Sequence, residues 1–418
     1  MKHLKWLVLG CMLGGVLPFL TLIAATPAQN AAPAEIFKQA RDLHFRSIVI
    51  DTHDDTTQRL LVPGFDIAAR HSDGDVDIPR MREGGLGGIF FSIYIPGTIT
   101  GSEAVKDAMD QIAAVRHMVA AHPKDLVLAT TADEIRRAHA DGKIAVLMGV
   151  EGGHMIDDDL GILRDYAALG VRYMTLTHMV DTDWGDSSTG KGTHNGLTAF
   201  GKQVVLEMNR LGVMVDISHV SDKTFYDALA VSQAPLIASH SSCRALCNAP
   251  RNMTDDMMRA LAAKGGVIQI NYHIAFLSQK YRDVDYAHPE YDQYIDAEST
   301  KLCGAGVEKE ACRVIETEKL VRQFMAQGKL PPVDWTAIID HIDHAVKIAG
   351  IDHVGLGSDF DGANMPLGMD DVSHLPQITG ALLQRGYSPA DIQKILGGNT
   401  LRLMQQVAAA AQRMGETQ

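Results

Sequence analysis

Residues 48–55 read IVIDTHDD, an apolar run that stops on His53-x-Asp55. A short run rich in β-branched residues predicts a buried strand. Residues two apart on a strand share a face. His53 and Asp55 therefore point the same way from its end, while Asp54 alternates away and needs no catalytic role. An imidazole beside a carboxylate is a donor pair suited to a borderline metal ion. A His and an Asp solvated in a loop would read the same, so the test is whether other strands end alike.

They do. Apolar runs recur at 85–95 (GLGGIFFSIYI), 143–151 (KIAVLMGVE), 171–178 (VRYMTLTH), 213–219 (VMVDISH), 235–240 (PLIASH), 266–273 (GVIQINYH) and 353–359 (HVGLGSD). Helical patterns lie between most of them, at 103–121, 160–169, 197–211, 223–231, 255–264 and 335–348, with a last one at about 396–414. Strands joined by crossover helices make a parallel sheet. Eight such units predict an α/β fold, a TIM-like (β/α)8 barrel, with a polar insertion at 274–332 after the seventh strand and helices at the C-terminus. The first, third, fourth, fifth, sixth and eighth strands all end on His, Asp or Glu. A barrel brings such ends to one face, whereas an open sheet would spread them along a line. No break in composition divides residues 36–418, which read as one barrel domain.

Composition sets bounds on partners. The 418 residues carry a formal charge of −13, with 46% hydrophobic and 21% charged residues. An acidic chain with no basic stripe and no Gly-rich phosphate loop excludes nucleic acid as the expected partner. At the N-terminus Lys2 and Lys5 precede an apolar run from Trp6 to Ala25, and small residues follow. Residues 1–28 thus read as a secretory signal peptide, with an uncleaved membrane anchor as the alternative. The expected location is periplasmic or secreted. Beyond Cys11 four cysteines remain, and Cys303–Cys312 is the expected disulfide, closing a small loop in the insertion. Cys243 and Cys247 could pair as well, but sit beside the candidate site.

His53, Asp55, Glu151, His219 and His240 form a set of three nitrogen donors and two carboxylates. One catalytic zinc keeps about three protein ligands and an open position, so five suit two metals if one carboxylate bridges. Glu151 is the candidate bridge. Water held between two zinc ions is acidified and can attack a carbonyl. How the other four divide between two metals is not fixed by spacing. His154 could orient Glu151. His71, His341, His344, His353 and His374 read as loop or helix-face histidines.

Taken together, DTHDD at 51–55, GVEGGH at 149–154, RYMTLTH at 172–178 and DISHVSD at 216–222 form a familiar series. SHSSCRAL at 239–246, PRNMTD at 250–255, GLGSDFDG at 355–362 and GGNTLRLM at 397–404 complete it. In these motifs the chain resembles the membrane (renal) dipeptidase family, peptidase family M19 of the amidohydrolase superfamily. The resemblance implies a dipeptidase with two zinc ions, His53 and Asp55 on the first, His219 and His240 on the second, and Glu151 between them. It implies His178 as a group contacting substrate and the developing oxyanion, Arg251 as binder of the substrate carboxylate, and Asp359 as general acid/base. It also suggests tolerance of a C-terminal D-residue. The implied partner is a small dipeptide; a homodimer is compatible, and a membrane enters only if the N-terminal segment is retained. Another amide or lactone hydrolysis on the same metals is the alternative chemistry. His273 stands where the family places a substrate-contacting aromatic residue, a departure that bears on substrate preference.

Overall fold

The computed structural model describes residues 33–304 and 309–416. The expected leader lies outside the described residues. Among the described residues there are nine strands: β1 Val49–Asp54, β2 Leu86–Tyr94, β3 Leu126–Leu128, β4 Ile144–Glu151, β5 Val171–Thr175, β6 Met214–Asp216, β7 Ile237–Ser241, β8 Val267–Ile270 and β9 Val354–Leu356. All pairings are parallel, and β2 pairs with β4 as well as with β1, so eight strands close into a TIM-like barrel. Burial explains their composition. Every residue of β1 and β4 is buried, and strands covered on both faces read as continuous apolar runs rather than alternating ones.

The ninth strand corrects the sequence reading. β3 and the helix Ala132–Ala140 lie between the second and third predicted strands. β3 pairs with Ile144–Val146 at the start of β4, and β5 takes the later part of that strand, from Met148 to Glu151. Three residues are too few to show a period. The helix was better marked: Thr131 and Glu134 form a reciprocal capping box at its start.

The two ends of the barrel differ. The first residues of β6, β7 and β8, Met214, Ile237 and Val267, pack in one apolar cluster with Leu401, Leu403, Met404 and Val407 of the helix Asn399–Glu416. That helix closes the N-terminal end. The C-terminal end is left for loops and for the insertion, which is helical: Ile274–Leu277, Gln279–Ala287, Pro289–Cys303 and Glu310–Ala326. Cys303 and Cys312 are disulfide-bonded there as expected, while Cys243 and Cys247 are free and buried.

His341, read as a loop or helix-face histidine, is a buried strut, and His44 is a second one. His341 accepts the Cys243 N–H (3.0 Å) at Nδ1 and donates to the Leu277 carbonyl (3.1 Å) from Nε2. His44, buried between the helices Pro33–Arg46 and Pro376–Gln384, donates to the Gly84 carbonyl (2.7 Å) and accepts from Thr379 Oγ1 (2.8 Å). Burial lowers both pKa values to about 4. Unfolded, each takes a proton near pH 6.5, so between pH 6.5 and 4 the native state binds fewer protons. The stability they contribute is complete above pH 6.5 and lost as pH falls towards 4. By pH 5 the loss is about 2 kcal/mol for each histidine. The urea midpoint of the metal-free chain should therefore drop between pH 7 and pH 5, and His44→Gln should reduce that drop; an equal drop in the variant would refute the assignment.

Candidate metal centre

β1 delivers His53, and Asp55 follows one residue past its end, held by donation of its N–H to the Phe360 carbonyl (2.8 Å). Glu151 is the last residue of β4, and His240 lies within β7. His178, His219 and Asp359 each fall three residues beyond β5, β6 and β9, in the turns that follow, rather than on the strand ends expected. His219 (φ 68°) and Asp359 (φ 70°) both adopt the left-handed region, a costly conformation for such residues that tertiary contacts must hold.

These turns bring all the expected ligands together. Glu151 is at the centre, buried, and its two oxygens face different partners. Oε2 lies 3.4 Å from His53 Nε2 and accepts from Ser92 Oγ (3.1 Å). Oε1 lies 3.0 Å from His219 Nε2, 3.2 Å from His240 Nε2 and 3.6 Å from His178 Nε2. His53 Nε2 is 3.4 Å from Asp55 Oδ2 and 3.9 Å from Asp359 Oδ1. Burial alone would raise the Glu151 pKa, but the surrounding rings, His53 and His178 first, hold it well below the carboxylate range. His178 is pushed down to about 4 by burial, so its ring is neutral at pH 7.

The donor set fits divalent cations. His53 Nε2 is buried with no hydrogen-bond partner. His219 Nε2 and His240 Nε2 face each other at 2.9 Å. The tautomer of His240 follows from its neighbours. Asp216 Oδ2 only accepts, and it receives both Thr175 Oγ1 (2.6 Å) and Ser239 Oγ (2.6 Å). Ser239 has then spent its proton, so at 2.8 Å its oxygen accepts from His240 Nδ1. His240 Nε2 is left with a bare lone pair aimed at a carboxylate oxygen and another imidazole. A proton on His219 Nε2 or a cation between the rings relieves that arrangement, and the converging lone pairs and carboxylate suit the cation. Tyr173 Oη, 2.8 Å from His53 Nδ1, orients the other side. It reaches there because β4 carries Gly149, where a Cβ would fall 1.9 Å from the tyrosine ring.

Arg251 also sits at the centre, donating to the His240 carbonyl (3.1 Å) and lying over the Phe276 ring at 5.4 Å. Its Nε is buried without a partner, and burial lowers its pKa only to about 10, so it stays charged. Asp359 Oδ2 accepts from Asn271 Nδ2 (2.8 Å), and His273 Nδ1 accepts the Asn364 N–H (3.2 Å). Asp361, the alternative to Asp359, is engaged elsewhere, accepting from Thr56 Oγ1 (2.5 Å) and the Asp75 N–H (2.8 Å). His154 is buried with its Nε2 unpartnered and makes no hydrogen bond to Glu151, whose Oε2 is bonded by Ser92 instead, which corrects its expected orienting role. The centre lies in the floor of a cavity of about 510 Å³.

The model of the family "Membrane dipeptidase (Peptidase family M19)" matches residues 37–418. This chain belongs to the membrane dipeptidase family. Dipeptidase 3 of Mus musculus is 34% identical over 340 residues, 80% of this chain. The chain spans 58% of that relative's length. Among solved structures, the probable dipeptidase PvdM from Pseudomonas aeruginosa superposes with a TM-score of 0.76 at 28% identity, covering 91% of this chain and 100% of that one. A metallopeptidase from Rhodobacter sphaeroides, liganded with a phosphinate mimic of L-Ala-D-Ala, does so with a TM-score of 0.71 at 28% identity, covering 86% and 99%.

Several residues of this family member were missed at the level of sequence: the orienting groups Tyr173 and Ser239, Asn271 on Asp359, and Ser92 on Glu151. Ser92 was the most legible, a lone polar residue in the buried strand FFSIY. Asp216 had been placed in its strand but not read as a hub, although it also accepts from the Ser218 and Ser239 N–H groups (3.0 and 2.9 Å). Removing such a buried acceptor strands four donors. Asp216→Ala should cost about 3 kcal/mol or more, read from urea unfolding, and Asp216→Asn less.

Proposed function

We propose that the chain is a metallo-dipeptidase that hydrolyses small dipeptides with two zinc ions. The observation that carries this reading is Glu151, whose two oxygens face separate ring nitrogens beneath a cavity that also holds a charged, half-satisfied arginine. His53 and Asp55 would hold one ion, His219 and His240 the other, with Glu151 shared. Zinc suits mixed imidazole and carboxylate donors. When bound, such a pair supplies an acidified nucleophile and Lewis-acid pull on the carbonyl.

The remaining steps belong to the chain's own groups. Arg251 clamps the substrate carboxylate through its fork, which fixes the scissile bond over the centre. The neutral His178 donates a hydrogen bond to the carbonyl oxygen as charge builds there. Asp359, steadied by Asn271, takes the nucleophile's proton at a carboxylate oxygen and returns it to the leaving amine. The L-Ala-D-Ala mimic on the Rhodobacter relative supports tolerance of a C-terminal D-residue here.

An oxidising compartment suits the Cys303–Cys312 disulfide. With the leader-like N-terminus it supports a periplasmic or secreted enzyme, anchored to a membrane only if that segment is retained. Among the described residues no helix is long and apolar enough to cross a membrane. Residues 36–418 would act as one barrel domain, alone or as a homodimer.

Zinc-loaded protein should turn over L-Ala-L-Ala and L-Ala-D-Ala; no turnover of any dipeptide, with N-acyl amino acids or lactones cleaved instead, would reject the reading. Glu151→Gln should lower metal content towards one ion per chain or fewer, and two retained ions would refute the shared carboxylate. Arg251→Ala should raise KM about 10- to 100-fold for substrates with a free carboxylate and leave carboxylate-blocked ones nearly unaffected. Asp359→Asn should keep both ions and lower kcat about 100-fold or more.

A further inference from the structure

The insertion forms part of the cavity wall. Asp296 on the helix Pro289–Cys303 and Glu310 and Arg313 on the helix Glu310–Ala326 line it opposite the metal-ligand floor. Glu310 and Arg313 are ion-paired with side chains only 21% and 24% exposed. The Cys303–Cys312 disulfide ties the two helices beside them. With Asp296, this roof carries one net negative charge.

Glu310 on the insertion and Arg251 and Glu151 on the floor line one cavity. The Tyr94 ring packs edge-on against His178 (4.9 Å). Beyond burial, Glu310 is the foremost group raising the Tyr94 hydroxyl pKa, ahead of Glu151. A dipeptide is a zwitterion with its charges about two residues' reach apart. With its carboxylate on Arg251 and its scissile carbonyl at the centre, its ammonium extends towards Tyr94 and the roof. On the floor, Asp55 and Glu151 belong to the metal-ligand set, Asp359 is the proposed acid/base, and Asp361 is bonded to Thr56 and Asp75. A carboxylate offers about four acceptor positions, and pairing with Arg313 leaves some of those on Glu310 open.

We infer that Glu310 binds the free ammonium group of the substrate, with Arg313 holding the carboxylate in place. This rests on the dipeptidase reading above. It makes the insertion a ruler: a longer peptide carries no ammonium at that point, and an N-acylated amino acid carries none at all.

The test compares kcat/KM of the zinc-loaded full chain for L-Ala-L-Ala and N-propionyl-L-alanine, which has the same shape without the ammonium. Wild type should favour the dipeptide, and Glu310→Gln should shrink that preference about 10- to 100-fold, chiefly through KM. Arg313→Gln should keep most of it. An unchanged preference in Glu310→Gln with metal content intact overturns the inference alone. Equal loss in both variants also overturns it, since the pair would then be a strut. Should Glu310→Gln not fold, competition on wild type decides: alaninamide should inhibit at least about 10-fold better than propionamide, and equal inhibition overturns the assignment. A wild type that cleaves no dipeptide instead removes the dipeptidase reading and this inference with it.

Discussion

A buried carboxylate held among imidazoles is the constraint on which the rest of this molecule depends. Glu151 is almost fully enclosed, and four ring nitrogens lie within 3.6 Å of its oxygens. With neither cations nor protons between them, those lone pairs and negative charges would face one another, which is costly away from water. With divalent cations the same atoms are complementary. The scaffold must therefore hold the donors against their own repulsion.

The barrel does so through contacts away from the cavity. Asp216 ties three consecutive strands, β5 through Thr175, β6 through its own backbone and β7 through Ser239, and the same bonds fix the His240 tautomer. Gly149 admits the Tyr173 ring, which reaches His53 across the interior. The left-handed turns at His219 and Asp359 aim those side chains inwards at a cost in backbone strain. Closing the N-terminal end with the helix Asn399–Glu416 keeps the core dry while the other end stays open to ligand.

The insertion gives the open end its size and polarity. Its helices wall a space of about 510 Å³, within the range of small-molecule sites. Floor and roof differ in origin. The floor is built on strands that the whole barrel fixes, whereas the roof hangs on two helices and one disulfide. Selectivity among substrates can thus change through the insertion without disturbing the metal-ligand floor.

Much of this was written in the local sequence. Eight apolar runs with intervening helical patterns gave the barrel, because parallel strands buried on both faces leave a mark that needs no partner to be read. Ligand-type residues closing six of those runs marked the face on which they meet. The Cys303–Cys312 pair was legible from nine residues of separation in a polar insertion. β3 was not, since three residues show no period, and its place depends on an edge of β4. The tautomer of His240, the reach of Tyr173 over Gly149, the burial of His44 and His341, and the roof of Glu310 and Arg313 were decided by tertiary structure alone. Each joins residues from different elements, and the distance between two side chains is set by how those elements pack, which no local pattern carries.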